Sequence, residues 1–214
     1  MQRVSVLLPP LPRLAFVAEP DPSRNTEFVR SEAQRLRFIE GPALDQTFDY
    51  DLVRRRAIDA AVIVAFVRTP DGRFGVFLRS ALRPPLALRD DGVVLNAGLW
   101  ELPAGLVERD EDPREAAARE LEEELGFVVD AASLVALGAP VLPAPALIGE
   151  RQFGFAVDVT GITAKEPSLD GSLLELGGLI VCLDAESLAE TLDAESLVDS
   201  KTELFLRRFL RSPR

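Results

Sequence analysis

Three glutamates near the middle of the chain carry the clearest chemical signal in the sequence. Glu120, Glu123 and Glu124 fall within about a 100° arc of one face if the segment around them is helical. Carboxylates this close repel one another, and Arg119, which can pair with Glu123 one turn away, does not neutralise all three. Magnesium prefers oxygen ligands and binds through a few carboxylates plus substrate phosphates. The spacing therefore indicates a divalent-cation site, the alternative being a solvated acidic helix face.

The composition limits what else the chain can do. It has no histidine and one cysteine among 214 residues, which excludes Ser-His-Asp and Cys-His catalysis and His-ligated zinc. Any proton transfer must therefore use carboxylates, Lys, Tyr or the one Cys. With 24 Lys and Arg against 35 Asp and Glu, the net charge is −11. We expect no nucleic-acid partner, because phosphate contacts need clustered positive charge.

The same composition bears on location. The longest uninterrupted apolar run, residues 60–67, is far shorter than the roughly 18 residues that a membrane helix needs. Prolines at positions 9, 10 and 12 interrupt the one N-terminal stretch that resembles a secretion signal. Because Cys182 is the single cysteine of the sequence, an internal disulfide is excluded. Cys182 lies within an apolar run, so we expect it to be packed and inert. We predict a cytoplasmic protein with no membrane partner.

The glutamates belong to a longer motif. Residues 105–127 read GLVERDEDPREAAARELEEELGF, which resembles the Nudix hydrolase box, G-x5-E-x7-R-E-U-x-E-E-x-G-U, where U is a bulky apolar residue. All nine specified positions match: Gly105, Glu111, Arg119, Glu120, Leu121, Glu123, Glu124, Gly126 and Phe127.

The resemblance implies a fold and a metal site. The fold would be α+β, a Nudix-type αβα sandwich with a mixed β-sheet, and the box a loop–helix–loop on one side of that sheet. Glu120 and Glu124 would be the principal ligands of Mg²⁺, for which Mn²⁺ can substitute, with Glu123 assisting and the backbone carbonyl of Ala104 as a further ligand.

Four other box residues are expected to have structural roles. By the resemblance, Arg119 and Glu111 hold the loop and the helix together, and a glutamate can neutralise an arginine in this way. Gly105 and Gly126 would allow the turns at either end, because glycine relieves left-handed backbone geometry.

The segments on either side of the box narrow the range of possible substrates. Residues 100–105, WELPAG, resemble the lead into the box in ADP-ribose and nucleotide-sugar pyrophosphatases, and Glu101 within them is placed among the substrate-binding residues. Residues 142–151 are similar to a loop of the same branch whose glutamate, here Glu150, binds metal or activates water, although Ala144 departs from that pattern. Glu120, Glu123 and Glu150 are the candidate catalytic carboxylates, with Glu150 and Glu123 left open as the general base.

Other side chains allow two interpretations each. Arg79 and Arg83 either pair with substrate phosphates, which suit guanidinium forks, or are ordinary surface arginines. Trp100 is assigned to the core rather than to stacking on a base. Phe48 and Tyr50 are weaker candidates for stacking on adenine. Residues 199–202, DSKT, resemble a late Asp-x-Lys-Thr of the family.

Hydropathy and turn signals predict the elements that position these residues. Pro113 suits the first turn of a helix over residues 113–125, and Gly126 suits its end. Residues 28–39 form either a strand pair or a short helix. Strands are predicted over residues 57–67, 74–78, 99–102, 153–159 and 179–183, a turn at 69–72, a loop bracketed by 84–85 and 90–92, helical turns at the two LDAESL copies (183–188 and 192–197), and a closing helix over 200–210.

The predicted organisation is a small N-terminal β-rich element, residues 1–55, followed by a Nudix domain, residues 56–214. By the resemblance, the N-terminal element builds a homodimer and helps to form the substrate pocket. The predicted activity is Mg²⁺-dependent hydrolysis of ADP-ribose or a related nucleotide sugar. The alternatives are a Nudix pyrophosphatase for another substrate, such as a dinucleoside polyphosphate, NADH or a nucleoside triphosphate, and a non-catalytic sensor of nucleotide sugars.

Overall fold

Strand β3 (Ala60–Arg68) lies in the middle of the main sheet and is apolar on both faces. The computed structural model of the chain describes residues 29–88, 97–168 and 178–212. The central strand pairs in parallel with β8 (Gln152–Asp158) and antiparallel with β4 (Phe74–Leu82). A strand buried on both faces reads as a continuous apolar run, which is why its sequence lacks the alternation of a half-exposed strand.

Within the described residues, the remaining strands complete a mixed sheet of seven, ordered β5-β4-β3-β8-β7, with β6 against β3 and β9 against β4. Four helices and one 3-10 helix in the same part of the chain connect or cover the strands. The other elements of this unit are α1 (Pro84–Ala87), β5 (Gly98–Glu101), β6 (Ala104–Leu106), α2 (Pro113–Leu125), the 3-10 helix Ala131–Ser133, β7 (Val135–Ala136), β9 (Ile180–Asp184), α3 (Ala185–Asp193) and α4 (Ser200–Arg211).

Alternate residues of β3 face two different cores. Ala61, Ile63 and Ala65 belong to a cluster that includes the apolar face of α2, among them Leu121. Val62, Val64 and Phe66 belong to a cluster on the opposite face, with apolar residues of α3 and α4. Successive strand side chains point to opposite faces of a sheet, so one strand serves both layers. The predicted α+β fold, a sandwich with a mixed sheet, is therefore confirmed.

Strands β1 (Val29–Arg37) and β2 (Thr47–Arg55) form a separate antiparallel hairpin. This resolves the open choice for residues 28–39 in favour of a strand. The hairpin exposes large apolar side chains. Three of its aromatic rings lie close together: the ring centroids of Phe38 and Phe48 are 5.3 Å apart, and those of Phe48 and Tyr50 are 6.5 Å apart. The first 28 residues of the predicted N-terminal element, and positions 90–92 of the predicted loop, lie outside the described residues.

Two expectations for the C-terminal part need correction. The second LDAESL copy is not helical beyond Asp193, because α3 ends there and a turn with Glu195 at a φ of 53° follows. Cys182 is exposed on β9 rather than packed, since this strand lies at the sheet margin beside β4. Among the helices described, none combines the length and apolar character needed to cross a bilayer.

Candidate active site

A cavity of about 760 Å³ is lined by residues of β2, α1, β5, β6, α2, the loop before β8 and the start of α4. Segments distant in sequence form it, so it exists only in the folded chain. Seven of the predicted catalytic, metal and substrate residues line it: Arg83, Glu101, Ala104, Glu120, Glu123, Glu124 and Glu150. Further lining residues include Arg55, Gly105, Glu108, Arg119, Pro143, Gln152, Asp199, Ser200 and Lys201.

One wall of the cavity is a partly buried face of helix α2, and we call Arg119, Glu120, Glu123 and Glu124 the acidic wall. The helix begins where Asp112 accepts a hydrogen bond from the Arg114 amide at 2.8 Å, with proline in the first turn. It ends at Gly126, whose φ of 76° is left-handed. The predicted helix is therefore confirmed at both ends.

The two box glycines serve different purposes. A Cβ on Gly126 would lie 2.0 Å from the Lys165 carbonyl oxygen, so both its left-handed backbone and its surroundings require glycine. Gly105 is not left-handed, and the reason predicted for it is wrong. A Cβ there would lie 1.8 Å from the carboxyl carbon of Glu120. Gly105 therefore provides space for that carboxylate.

Arg119 lies at the centre of the acidic wall. Its Nε donates to Glu111 at 3.0 Å, and its Nη1 donates to Glu120 at 2.6 Å and to Glu123 at 3.2 Å. Its Nη2 reaches the carbonyl of Leu106 at 2.9 Å, which ties the helix to strand β6. The hydrogen bond that Arg119 donates to Glu111 is the main reason why the pKa of Arg119 is raised. Burial opposes ionisation of Glu111, but the hydrogen bonds from Arg119 and the Glu108 amide lower its pKa.

Glu124 lies behind this face and is almost fully buried. Its Oε2 accepts from the Ala104 amide at 2.9 Å, and its Oε1 pairs with the guanidinium of Arg79. Arg79 is itself buried, with a side chain only 8% exposed, and is not among the residues that line the cavity. The interpretation of Arg79 as a surface arginine is wrong. The structure also adds a second arginine to the charge balance of the three glutamates.

Glu120 differs from Glu111 in its electrostatics. Burial raises the pKa of Glu120, and the hydrogen bond and charge of Arg119 only partly offset that effect, while Glu123 and Glu111 add to it. In the described part of the chain, no three acidic, His or Cys side chains already converge as a metal site would require. The carboxylates of Glu120 and Glu123 instead pair with Arg119, and that of Glu124 pairs with Arg79. Their oxygen-only donor set, with one carboxylate seated against Gly105, fits a hard divalent cation.

A second wall, which we call the paired wall, consists of Arg83, Glu101, Asp199 and Lys201. Glu101 is buried and accepts two hydrogen bonds from Arg83, at 2.8 and 2.6 Å. Lys201 donates to the same carboxylate at 2.6 Å and to Asp199 at 2.8 Å. Burial alone would raise the pKa of Glu101, but Arg83 and Lys201 outweigh it and lower the pKa to about 2. Glu101 also causes the raised pKa of Arg83.

Lys201 was missed as a site residue in the sequence, although the DSKT pattern contains it. Asp199 caps helix α4 by accepting from the Thr202 amide at 3.0 Å. The Thr202 hydroxyl accepts from the Leu102 amide at 2.8 Å, which joins the start of α4 to the segment between β5 and β6. The DSKT motif could therefore have pointed to Lys201, but the residues that Lys201 and Thr202 contact, Glu101 and Leu102, lie about a hundred positions away in the sequence.

The loop that precedes β8 presents Glu150 to the cavity. Both of its carboxylate oxygens are held: Oε1 accepts from Gln152 at 2.9 Å, and Oε2 pairs with Arg55 at 2.8 Å. Arg55 comes from the end of the N-terminal hairpin. It was missed because residues 54–56 are three arginines in a row, and nothing local distinguishes them.

Aromatic residues proposed for base stacking lie elsewhere. Trp100 is buried in the core layer with α3 and α4, as predicted. Phe48 and Tyr50 do not line the cavity among the described residues, and the Tyr50 hydroxyl donates to the Ala146 carbonyl at 2.7 Å.

Comparison with known proteins supplies one match. The family model of the NUDIX domain matches residues 58–173, just over half of the chain, and that range contains the whole box and Glu150. Comparison with curated proteins gave no match.

Proposed function

The chain belongs to the Nudix family, and we propose that it hydrolyses the pyrophosphate bond of ADP-ribose or a related nucleoside diphosphate sugar. Membership implies hydrolysis of nucleoside diphosphate derivatives, generally with divalent metal ions. The products of the proposed reaction are a nucleoside monophosphate and a sugar phosphate. The observation that carries the proposal is that the box carboxylates, Glu150 and the cationic groups of the paired wall line one cavity large enough for such a substrate.

We propose that Glu120 and Glu124 hold Mg²⁺, assisted by Glu123 and the Ala104 carbonyl, and that Mn²⁺ can substitute. When bound, the cation supplies neutralisation of the pyrophosphate oxygens and makes water more acidic. Glu120 supports this assignment, because burial disfavours its charged form and raises its pKa, and a bound cation would stabilise that charged form. Glu120 and Glu123 would release Nη1 of Arg119, which lies within hydrogen-bond distance of both.

We propose that a carboxylate accepts the proton from the attacking water at neutral pH, since the chain has no histidine to do so. Glu150 and Glu123 both line the cavity and remain the two candidates. Glu150 is held at both oxygens and so has a defined orientation. Glu123 is more exposed, with 37% of its side chain accessible, and shares Arg119 with its neighbour.

Arg83 is better placed than Arg79 to contact substrate phosphates. The Arg83 side chain is 48% exposed and lines the cavity, whereas the Arg79 side chain is buried against Glu124. Glu101 fixes the Arg83 guanidinium through two parallel hydrogen bonds. We propose that Arg83 and Glu101 form the substrate-binding end of the cavity and that Arg79 holds Glu124.

A substrate panel with Mg²⁺ tests the function. It would include ADP-ribose, other nucleoside diphosphate sugars, a dinucleoside polyphosphate, NADH and a nucleoside triphosphate, with product release followed by chromatography. We expect the highest kcat/KM on ADP-ribose or another nucleotide sugar. Preference for a different compound would overturn the substrate class while leaving the chemistry, and binding of ADP-ribose without release of AMP would instead indicate a sensor.

We also propose that residues 1–55 form an element distinct from a Nudix domain of residues 56–214, and that the chain is a cytoplasmic homodimer. The apolar side chains that the hairpin exposes, including Leu36, Phe38 and Ile39, support a dimer contact there. Light scattering of the purified protein should give twice the mass of 23.4 kDa. A monomeric mass at micromolar concentration would contradict it.

A further inference from the structure

We infer that the N-terminal hairpin works in the active site of its own chain: strand β2 seats the loop that carries Glu150, and Arg55 is the residue that positions its carboxylate. This inference rests on the proposed function, because it assigns Glu150 a part in catalysis. It concerns the cavity of a single chain and is independent of the dimer proposed above.

Three contacts follow one another along β2. The Tyr50 hydroxyl donates to the Ala146 carbonyl at 2.7 Å, and the Val53 amide donates to the Leu147 carbonyl at 2.8 Å. At the end of the strand, Arg55 pairs with Glu150 at 2.8 Å. Residues 50, 53 and 55 thus meet 146, 147 and 150 in the same order. The hairpin, which otherwise forms its own two-stranded sheet, is joined to the domain through this loop.

The Arg55 side chain is itself well fixed. Its Nη2 donates to the carbonyl of Ile58 at 2.8 Å as well as reaching Glu150. The side chains of Arg55 and Glu150 are only 17% and 12% exposed, so water competes weakly for the pair. Gln152 holds the other carboxylate oxygen. The direction in which Glu150 faces therefore depends on one residue of the hairpin and one of β8.

The neighbouring arginines do not share this position. Arg54 pairs with Glu32 across the hairpin, and Arg56 is largely exposed, with Glu108 at 4.0 Å. Neither lines the cavity among the described residues. Arg54 is therefore a matched control, with the same side chain, the same strand and an ion pair of its own.

Arg55 lines the cavity, so it could instead bind a substrate phosphate directly, and the two roles differ kinetically. A positioning residue acts through Glu150, so its loss lowers kcat and leaves KM nearly unchanged. A phosphate ligand contributes to ground-state binding, so its loss raises KM. Misplacement of a reacting group by about 1 Å can cost about 10²-fold in rate.

The experiment measures kcat and KM of R55A, R55K, R54A, E150Q and the R55A/E150Q double variant, on ADP-ribose with Mg²⁺ or on the best substrate of the panel. We expect R55A to lower kcat about 10- to 100-fold with KM within about twofold. R55K should recover part of the loss, and R54A should behave as wild type. The double variant should be no slower than E150Q, because Arg55 then has no carboxylate to position.

Three kinetic results would overturn the inference: a raised KM with unchanged kcat in R55A, losses that multiply in the double variant, or normal activity of E150Q. If the wild type cleaves no pyrophosphate substrate, the proposed function fails, and urea unfolding of the same variants decides the structural part. The shifts in urea midpoint for R55A and E150Q should be non-additive, whereas those for R54A and E150Q should add. Additive shifts for Arg55 and Glu150 would show that the contact is absent.

Discussion

The two walls of the cavity shift the pKa values of their glutamates in opposite directions. On the paired wall, Glu101 and Asp199 face Arg83 and Lys201, and the pKa of Glu101 falls to about 2. On the acidic wall, three glutamates share Arg119 and the buried Arg79 behind it, and the pKa of Glu120 is raised.

The difference separates stability from function. The charges of the paired wall cancel within the protein, so Glu101 stabilises the fold and fixes Arg83. Among the described residues, the acidic wall sets three glutamates against Arg119 and Arg79 in a partly buried place, and such crowding of carboxylates costs stability unless a cation or substrate complex offsets it. Removing a carboxylate from one wall should therefore reduce mainly stability, and from the other mainly activity.

The largest expected effect is on catalysis at the acidic wall. Glu120→Gln keeps the shape of the side chain but removes a charge proposed to bind Mg²⁺. A metal contributes several kcal/mol of transition-state stabilisation, so kcat should fall by about 10²- to 10⁴-fold. Steady-state kinetics with circular dichroism to verify folding would measure it. Glu122→Gln is the control on the same helix, because Glu122 lies away from the cavity and pairs with exposed Lys165 at 3.3 Å; near-normal activity of Glu120→Gln would refute the metal assignment.

On the paired wall, Glu101→Gln should mainly destabilise the fold. A pKa lowered from 4.5 to about 2 corresponds to about 3 kcal/mol of stability at neutral pH, at about 1.36 kcal/mol per pH unit. For a chain of this size the melting temperature should fall by about 6–12 °C. Differential scanning calorimetry would measure it, and an unchanged melting temperature would mean that Arg83 and Lys201 do not hold this carboxylate in solution.

The stability difference between wild type and Glu101→Gln should decrease as the pH falls. Because the folded pKa of Glu101 lies below its unfolded value, its contribution is fully present above about pH 4.5 and is lost as the pH falls towards 2. Urea midpoints of wild type and Glu101→Gln should therefore converge between pH 5 and pH 3. A gap that stayed constant over this range would exclude titration of Glu101 as its cause.

Gly105→Ala sharpens the comparison by disturbing the acidic wall without changing a charge. The new Cβ would occupy the place of the Glu120 carboxylate, so that side chain must move. We expect activity to fall about 10²-fold, as for a displaced catalytic group. Gly149→Ala is the matched control, because a Cβ there has its nearest contact, with Ile58, at 4.0 Å. Equal activities of the two variants would remove the role assigned to Gly105.

The smallest expected effect is a gain in stability rather than a loss. In a chelating buffer at neutral pH, Glu120→Gln should slightly raise the urea midpoint, because a carboxyl group whose pKa is raised by folding destabilises the folded state above that pKa. Added Mg²⁺ should stabilise the wild type more than the variant. If the variant is less stable without metal, the hydrogen bond from Arg119 outweighs the burial of the charge.

Much of the fold and part of the site could be predicted from local patterns. Proline in the first turn, glycine after the last and an apolar stripe are properties of one continuous helix, so α2 was predicted with both of its ends. The apolar run of residues 57–67 likewise predicted a strand, and the structure shows that β3 is buried on both faces. The box spacing identified Glu120, Glu123 and Glu124, because residues three and four apart share a helix face.

The sequence by itself thus determined the central strand, helix α2 with its acidic face, and the family chemistry. Only the tertiary structure decided which distant groups meet: Lys201 with Glu101, Arg79 with Glu124, and Arg55 rather than its two neighbours with Glu150. Those pairs join residues 45 to 100 positions apart, and their contact depends on strand register and loop path rather than on spacing along one element. In the described part of the chain, the difference between the two walls, with Glu101 held by two cations and the three box glutamates crowded together, follows from those long-range pairs.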